Sequence, residues 1–143
     1  MPEGDLADFV RRMKDDIINR HDPEAASAYY AANFATRNPI PGRKPGLNGL
    51  IEALGEFLTA FPDAHETVET VIAEGDQVAA VGTLRATHRG PFGGIAATGR
   101  PVRVHVFELH RVVDGKIREG WVFLDLMGLM AQLRGDSGPG EAR

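Results

Sequence analysis

Glu108 lies inside the apolar run from Val102 to Leu109, just before the turn sequence Val113-Asp114-Gly115 and a return strand that reaches Trp121. A strand able to pack a core rarely carries a free acid. Burying an unpaired carboxylate is so unfavourable that the group is paired, exposed or kept protonated, and the last outcome makes an acid or base of unusual pKa. Glu108 is therefore a candidate catalytic acid or base, and the alternative is a structural carboxylate bonded to His110 or Arg118 across the strands. His88 is a second candidate because it adjoins the glycine-rich loop Gly90 to Gly99, which could close over a ligand; otherwise it is a strand-end residue. Asn38 could hydrogen-bond a substrate oxygen, although asparagine before Pro39 is also ordinary turn chemistry. Tyr30 could send its hydroxyl towards a ligand or simply pack a core.

Other chemistries fit less well. His105 and His110 fall on opposite faces of one strand, and the five histidines lack zinc-ligand spacing, so no metal is expected. The glycine-rich loop joins two strands instead of opening a helix after a strand, so it is no dinucleotide fingerprint. There is no cysteine, which excludes disulfides and thiolate nucleophiles.

The elements that must position these residues fall into two blocks. From Asp5 to Arg20 the residues Leu6, Phe9, Val10, Met13 and Ile17 recur at helical spacing, with Asp5 as N-cap. Asp22-Pro23 starts a second helix through Tyr30, the stretch Phe34 to Gly46 reads as irregular, and Leu47 to Phe61 forms a third apolar stripe ended by Pro62. Val68 to Ala73, Gln77 to Arg89 and Val102 to Trp121 then read as an antiparallel meander. Asp125 caps a last short helix carrying Leu126, Leu129, Met130 and Leu133 on one face. Helices followed by strands predict an α+β domain over residues 1–133, with the polar segment 134–143 as a flexible tail.

A chain of 143 residues, 43% hydrophobic, is enough for one core. The net charge of -4 has interspersed signs and offers no basic stripe, so nucleic acid is not an expected partner. No apolar run spans a bilayer and no signal-peptide pattern is evident, so a cytoplasmic protein without membrane association is expected.

The stretch Phe107-Glu108-Leu109-His110-Arg111-Val112-Val113-Asp114-Gly115-Lys116-Ile117-Arg118-Glu119, with Gly128-Leu129-Met130-Ala131-Gln132-Leu133, resembles the SnoaL-like polyketide cyclases of the nuclear-transport-factor-2-like superfamily. The likeness extends through Phe9 to Met13, Arg37-Asn38-Pro39, Phe61-Pro62-Asp63, Thr87 to Gly90 and Thr98-Gly99-Arg100, over about residues 9–133. It implies a cone-shaped single domain, with N-terminal helices packed on a curved antiparallel sheet around an apolar pocket, commonly a homodimer through the sheet. It also implies a cofactor-independent enzyme acting on an apolar, polyketide-like small molecule by aldol-type cyclisation. The alternatives are a non-catalytic small-molecule-binding domain and a metal-free hydroxylase or epoxide hydrolase.

The hairpin register decides where Glu108 points. A two-residue Asp114-Gly115 turn pairs it with Trp121; a three-residue loop Val113-Asp114-Gly115 pairs it with Gly120 and places Glu108 on one face with Val106, Val122 and Leu124. The resemblance favours the second, because the cyclases' histidine and aspartate then match Glu108 and Val122 on one face. Phe57, Val106, Val122, Leu124 and Tyr30 are expected to line the pocket. The same matching sets Glu108 where ketosteroid isomerases hold a protonated aspartic acid, and Asn38 where they hold their catalytic base. Val122 cannot replace an acid/base aspartate and Asn38 cannot accept a proton, so neither mechanism carries over intact. Asp125 is the nearest acid downstream of Val122 and completes the set of candidate catalytic residues, although its capping position gives it a structural purpose.

Overall fold

The computed structural model describes residues 1–136; of the tail expected at 134–143, residues 137–143 lie outside the described residues. The element order is α1 (Glu3–Lys14), a π-helical turn (Asp15–Asn19), a 3₁₀ helix (Pro23–Ala28), β1 (Tyr30–Thr36), α2 (Gly46–Ala60), β2 (His65–Glu74), β3 (Gln77–Thr87), β4 (Pro101–Val113), β5 (Lys116–Leu124) and α3 (Leu126–Leu133). One five-stranded sheet runs in the order β1-β5-β4-β3-β2. The expected meander β2 to β5 is antiparallel throughout, while β1 joins β5 in parallel. The α+β class expected from the sequence is the class observed. No helix among the described residues is long and apolar enough to cross a membrane.

Three local expectations are corrected. The first helix begins at Glu3 with Pro2 before it, not at an Asp5 cap, and its end widens into the π turn. The adjacent Ile17 and Ile18 of this wider turn are both buried. The helix expected through Tyr30 stops as a 3₁₀ segment at Ala28. The chain taken as irregular from Phe34 is in part β1, whose pairing with β5 bridges distant sequence and leaves little local signature.

Strand β4 alternates between buried and accessible side chains along its whole length, which puts Val102, Val104, Val106, Glu108 and His110 on the inner face under the helices. Helix α1 packs on β2 and β3, α2 on β1, and α3 on β4. The outer face carries His105, Phe107, Leu109, Trp121 and Phe123. Ile72, Phe107 and Phe123 there are more than half exposed, at 66%, 53% and 54%. Trp121 and Phe123 stack with ring centroids 6.0 Å apart.

The β4–β5 hairpin follows neither expected register. Its turn is the two-residue Asp114-Gly115, both with positive φ (53° and 75°), as a type I′ turn requires. A bulge at Arg118 then shifts the ladder, so that Arg111 faces Glu119, His110 faces Gly120 and Glu108 faces Val122. The extra residue restores the side-chain grouping expected from the longer loop, and Glu108 shares the inner face with Val122 and Leu124. A Cβ on Gly120 would lie 2.1 Å from His110 Nδ1 and 3.0 Å from the Leu109 carbonyl oxygen, so glycine here makes room for the buried imidazole. Gly120→Ala is expected to lose about 1–3 kcal/mol of stability in urea unfolding through overpacking, and markedly less in a His110→Ala background. Equal losses in both backgrounds would place the clash at the Leu109 carbonyl instead.

Candidate functional site

Glu108 does not stand alone on the inner face. Its side chain is about 1% exposed and its Oε1 accepts a 2.8 Å hydrogen bond from His110 Nε2, two residues along the same strand. Its Oε2 makes a close ion pair with Lys14 Nζ, which descends from the end of α1. Lys14 also reaches Glu66 Oε1 on β2 at 3.3 Å. Tyr30 from β1 closes the group, with its ring 5.9 Å from that of His110 in an edge-to-face contact. Five titratable side chains from α1, β1, β2 and β4 thus converge in a region otherwise filled by Met13, Ile17, Val106 and Ile117.

The electrostatics follow from one cation serving two carboxylates. Burial alone would push Glu108 up, but the Lys14 charge, with the His110 hydrogen bond and charge, holds its carboxyl below its ordinary value, at about 2. Burial raises Glu66; Lys14 offsets only part of that, and the neighbouring Glu108 charge adds to the rise. Burial opposes the charge on Lys14, yet the two carboxylates outweigh it and lift its pKa above the ordinary lysine value. The Tyr30 phenol is raised by burial and by the Glu108 charge, and so stays protonated at neutral pH. Because His110 Nε2 faces a carboxylate, that nitrogen carries a hydrogen, while Nδ1 is buried and without a hydrogen-bond partner.

The other expected site residues are placed elsewhere or engaged. The Asn38 carboxamide is clipped to β5: its Nδ2 donates to the Val122 carbonyl at 2.6 Å and its Oδ1 accepts from the Val122 amide at 3.2 Å. It adds one further rung where the β1 backbone ladder ends. Asp125 accepts from the Gly128 amide at 3.0 Å and caps α3. His88 is fully buried; its Nδ1 accepts from the Thr98 amide at 3.2 Å and contacts the Thr98 hydroxyl at 2.9 Å, leaving Nε2–H without a partner. Ala80 on β3 faces Glu108. His88 is eight residues further along that strand (88 − 80), so it sits roughly 25 Å away. His88 and Glu108 are too far apart to serve one reacting atom.

Of the expected pocket residues, Tyr30 and Val106 are buried, Phe57 and Leu124 are partly buried, and Val122 is 39% exposed beside the Asn38 clip. The Phe57 ring lies tilted against Phe61 (centroids 4.8 Å apart) and meets Phe92 edge-to-face (5.8 Å). Two concavities, of about 370 Å³ and 220 Å³, lie on the outer side of the sheet, over Arg85 and Arg103 and over the Leu109–Trp121 pair. Among the described residues no group of three or more His, Asp or Glu side chains is placed to hold a metal ion.

Sequence reasoning missed Lys14 and Glu66. Lys14 follows Val10 by four residues and precedes Ile17 by three, which puts it on the buried stripe of α1; that position was the available signal. Glu66 was hidden because β2 begins three residues before Val68, where the strand was expected to start.

Comparison with known proteins agrees with this architecture. Residues 8–133 match the SnoaL-like polyketide cyclase family. AclR from Streptomyces galilaeus, a proposed hydroxylase, superposes with a TM-score of 0.83 at 27% identity over 94% of this chain and 98% of its own. IdmH from Streptomyces antibioticus, a proposed polyketide cyclase, gives 0.76 at 28% identity over 90% and 97%. TsrD from Streptomyces laurentii shares the fold, with a TM-score of 0.83 at 24% identity over 93% and 97%. No curated protein sequence matches the chain.

Removing the shared cation tests the electrostatics. Lys14→Met leaves Glu66 and Glu108 buried and unneutralised, and is expected to lose about 3–5 kcal/mol in urea unfolding at pH 7. Glu108, depressed in the folded wild type, contributes stability that is present above the ordinary carboxylate range and lost as pH falls towards 2. In the variant both acids titrate upwards, so its deficit should shrink steadily between pH 7 and 4. A deficit that does not change with pH would mean that Lys14 acts through packing alone.

Proposed function

The chain belongs to the SnoaL-like polyketide cyclase family, and from that membership we propose that it is a cofactor-independent acid/base enzyme closing a ring in a hydrophobic, polyketide-like molecule by an aldol-type step. One observation carries this reading: the buried Lys14–Glu108–His110 cluster, an ionised carboxylate and an ammonium side by side in an apolar interior. In the proposed step Glu108 removes a proton from a carbon next to a carbonyl, and Lys14 holds the developing enolate oxygen. The enolate carbon attacks a second carbonyl of the same molecule, and the proton on Glu108 returns to the new alkoxide. The product is an isomer of the substrate, so no other reactant is required.

The depressed pKa of Glu108 makes it a weak base, which restricts the substrate. A hydrogen flanked by two carbonyls is acidic enough for such a base, whereas that of a simple ketone is not, so the reading specifies a 1,3-dicarbonyl. His110 is a positioning residue that orients the carboxylate, and the protonated Tyr30 hydroxyl is a further neutral donor. Val106, Val122, Leu124 and Phe57 would shape the apolar approach, with access from the Val122 end of the inner face. The likeness to IdmH supports the substrate class, and the likeness to AclR keeps a hydroxylation within the same scaffold as a related chemistry. The proposal places the protein in the cytoplasm, with no nucleic-acid or membrane partner.

A second reading is favoured by the closure of the ion pair and by Val122 at the family's acid/base position: a domain that binds an apolar ligand without turnover. Native mass spectrometry against a panel of linear poly-β-carbonyl compounds, followed by turnover assays on those that bind, separates the two. Glu108→Gln is expected to lower kcat by about 10²–10⁴ while binding survives. Ligands that bind the wild type without product would establish the binding reading, and an unchanged rate and pH profile in the variant would remove Glu108 from the chemistry.

The exposed aromatic outer face supports a homodimer through the sheet, since contiguous apolar patches of this kind mark association surfaces. Sedimentation velocity is expected to show a dimer for the wild type and a monomer for Phe107→Lys with Phe123→Lys. A wild-type monomer at high micromolar concentration would end that proposal.

A further inference from the structure

Basic side chains from three adjacent strands stand in a row on the outer face. His65 on β2 faces Arg85 on β3, which faces Arg103 on β4, so the three project side by side from adjacent strands. Like charges directly opposite each other in a sheet are destabilising, and each pair normally acquires an acidic neighbour. Here the arginine ion pairs among the described residues belong to Arg20, Arg37, Arg43, Arg111 and Arg134. Asp63, at the side of the row, is turned to Thr87: its Oδ1 accepts from the Thr87 amide and its Oδ2 from the Thr87 hydroxyl, each at 2.7 Å, and among the described residues it makes no ion pair with Arg85 or Arg103. Arg103 Nε is buried without a hydrogen-bond partner. Its backbone is fixed by Gln132, which accepts from the Arg103 amide at 2.8 Å and donates to its carbonyl at 2.9 Å, so the strand cannot shift to relieve it. Above the row lies a groove of about 370 Å³ lined by Asp63, His65, Arg85, Thr87, Pro101 and Arg103.

We propose that this groove binds a small organic oxyanion, a carboxylate or a phosphate ester, gripped between Arg85 and Arg103. Two guanidiniums held on neighbouring strands present planar N–H forks to one ligand, the arrangement that recognises such groups bidentately. The bound charge would separate the two like charges. The volume exceeds what an inorganic ion needs and leaves room for an organic body against Pro101. The site lies on the opposite side of the sheet from Glu108 and is independent of the chemistry proposed there. The aromatic patch begins about four residues further along β4, roughly 13 Å away, so the groove lies beside that patch and not beneath it.

The full chain is titrated at constant ionic strength, made up with chloride, against inorganic phosphate in one arm and citrate in the other. Binding is followed by amide NMR shifts and calorimetry. Saturable binding of at least one probe is expected, with shifts centred on His65, Arg85, Thr87 and Arg103, and the tighter arm identifies the oxyanion source. Arg85→Gln and Arg103→Gln should each weaken it about tenfold or more, while Arg111→Gln at the other end of the sheet leaves it unchanged. The proposal is overturned if neither probe saturates, or if Arg103→Gln binds like the wild type. It is also overturned if the two variants alter only the sedimentation of the protein, which would assign the groove to carboxylates of a second copy. The wild-type NMR arm decides the matter even where a variant fails to fold.

Discussion

The Lys14 ammonium, held between Glu66 and Glu108, is the contact on which the inner face depends. Two carboxylates on separate strands cannot stay ionised in an apolar interior without a cation, and among the described residues Lys14 is the one lysine or arginine that reaches them. The same contact ties the end of α1 across β2 and β4 and so fixes how the helix lies on the sheet. Three charges drawn from distant parts of the chain have to assemble together. Buried pairs of this kind contribute little net stability over a packed apolar core but are strongly destabilising when broken. Their retention in a chain otherwise able to fill this space with Val, Ile and Met is the reason to look for chemistry here.

Steric room for the cluster comes from β5. The Arg118 bulge moves the ladder so that glycine, not a side chain, lies opposite His110. Without that shift Glu119 would stand opposite His110 in place of Gly120, and either the imidazole or the hairpin would give way. Asn38 holds the same strand from the other edge, through two hydrogen bonds to Val122 that extend β1 past the end of its ladder. The edge of the site is therefore built from side-chain amide and glycine geometry, with no acid or base of its own at positions 38 and 122.

Much of this architecture was legible in the sequence because it is encoded locally. The apolar stripes of α1 and α2, the Asp125 cap of α3, the position of the β4–β5 turn and the alternation along β4 each follow from short-range spacing, whereas the two-residue form of that turn was one of two registers left open and the longer loop was favoured. What was not legible depends on distant partners. Strand β1 exists because β5 offers it a parallel edge, and the π turn at the end of α1 left no mark in the apolar spacing. The bulge follows from the fit of Gly120 against His110, and neither register deduced from the turn alone could contain it. Glu108 could be singled out as anomalous, but its partner on α1 is 94 residues away (108 − 14) and only its place on the helical stripe hints at the contact.

The placement of that partner reverses the chemical role that position 108 suggested. A carboxyl that donates a hydrogen bond to a substrate oxygen must be kept protonated, which calls for an apolar site without a neighbouring cation. Lys14 supplies such a cation, and protonating Glu108 at neutral pH would take several kcal/mol. In the proposed chemistry, donation to a developing oxyanion therefore passes from the acid at position 108 to the ammonium beside it, and the carboxylate is left as the acceptor. The loss of a proton acceptor at positions 38 and 122 is then consistent with the rest of the site, because the donor and the acceptor have been moved together to the base of the inner face. Under that proposal the centre would enolise only a substrate that is already acidic, and its selectivity would arise from that requirement as much as from the shape of the apolar walls.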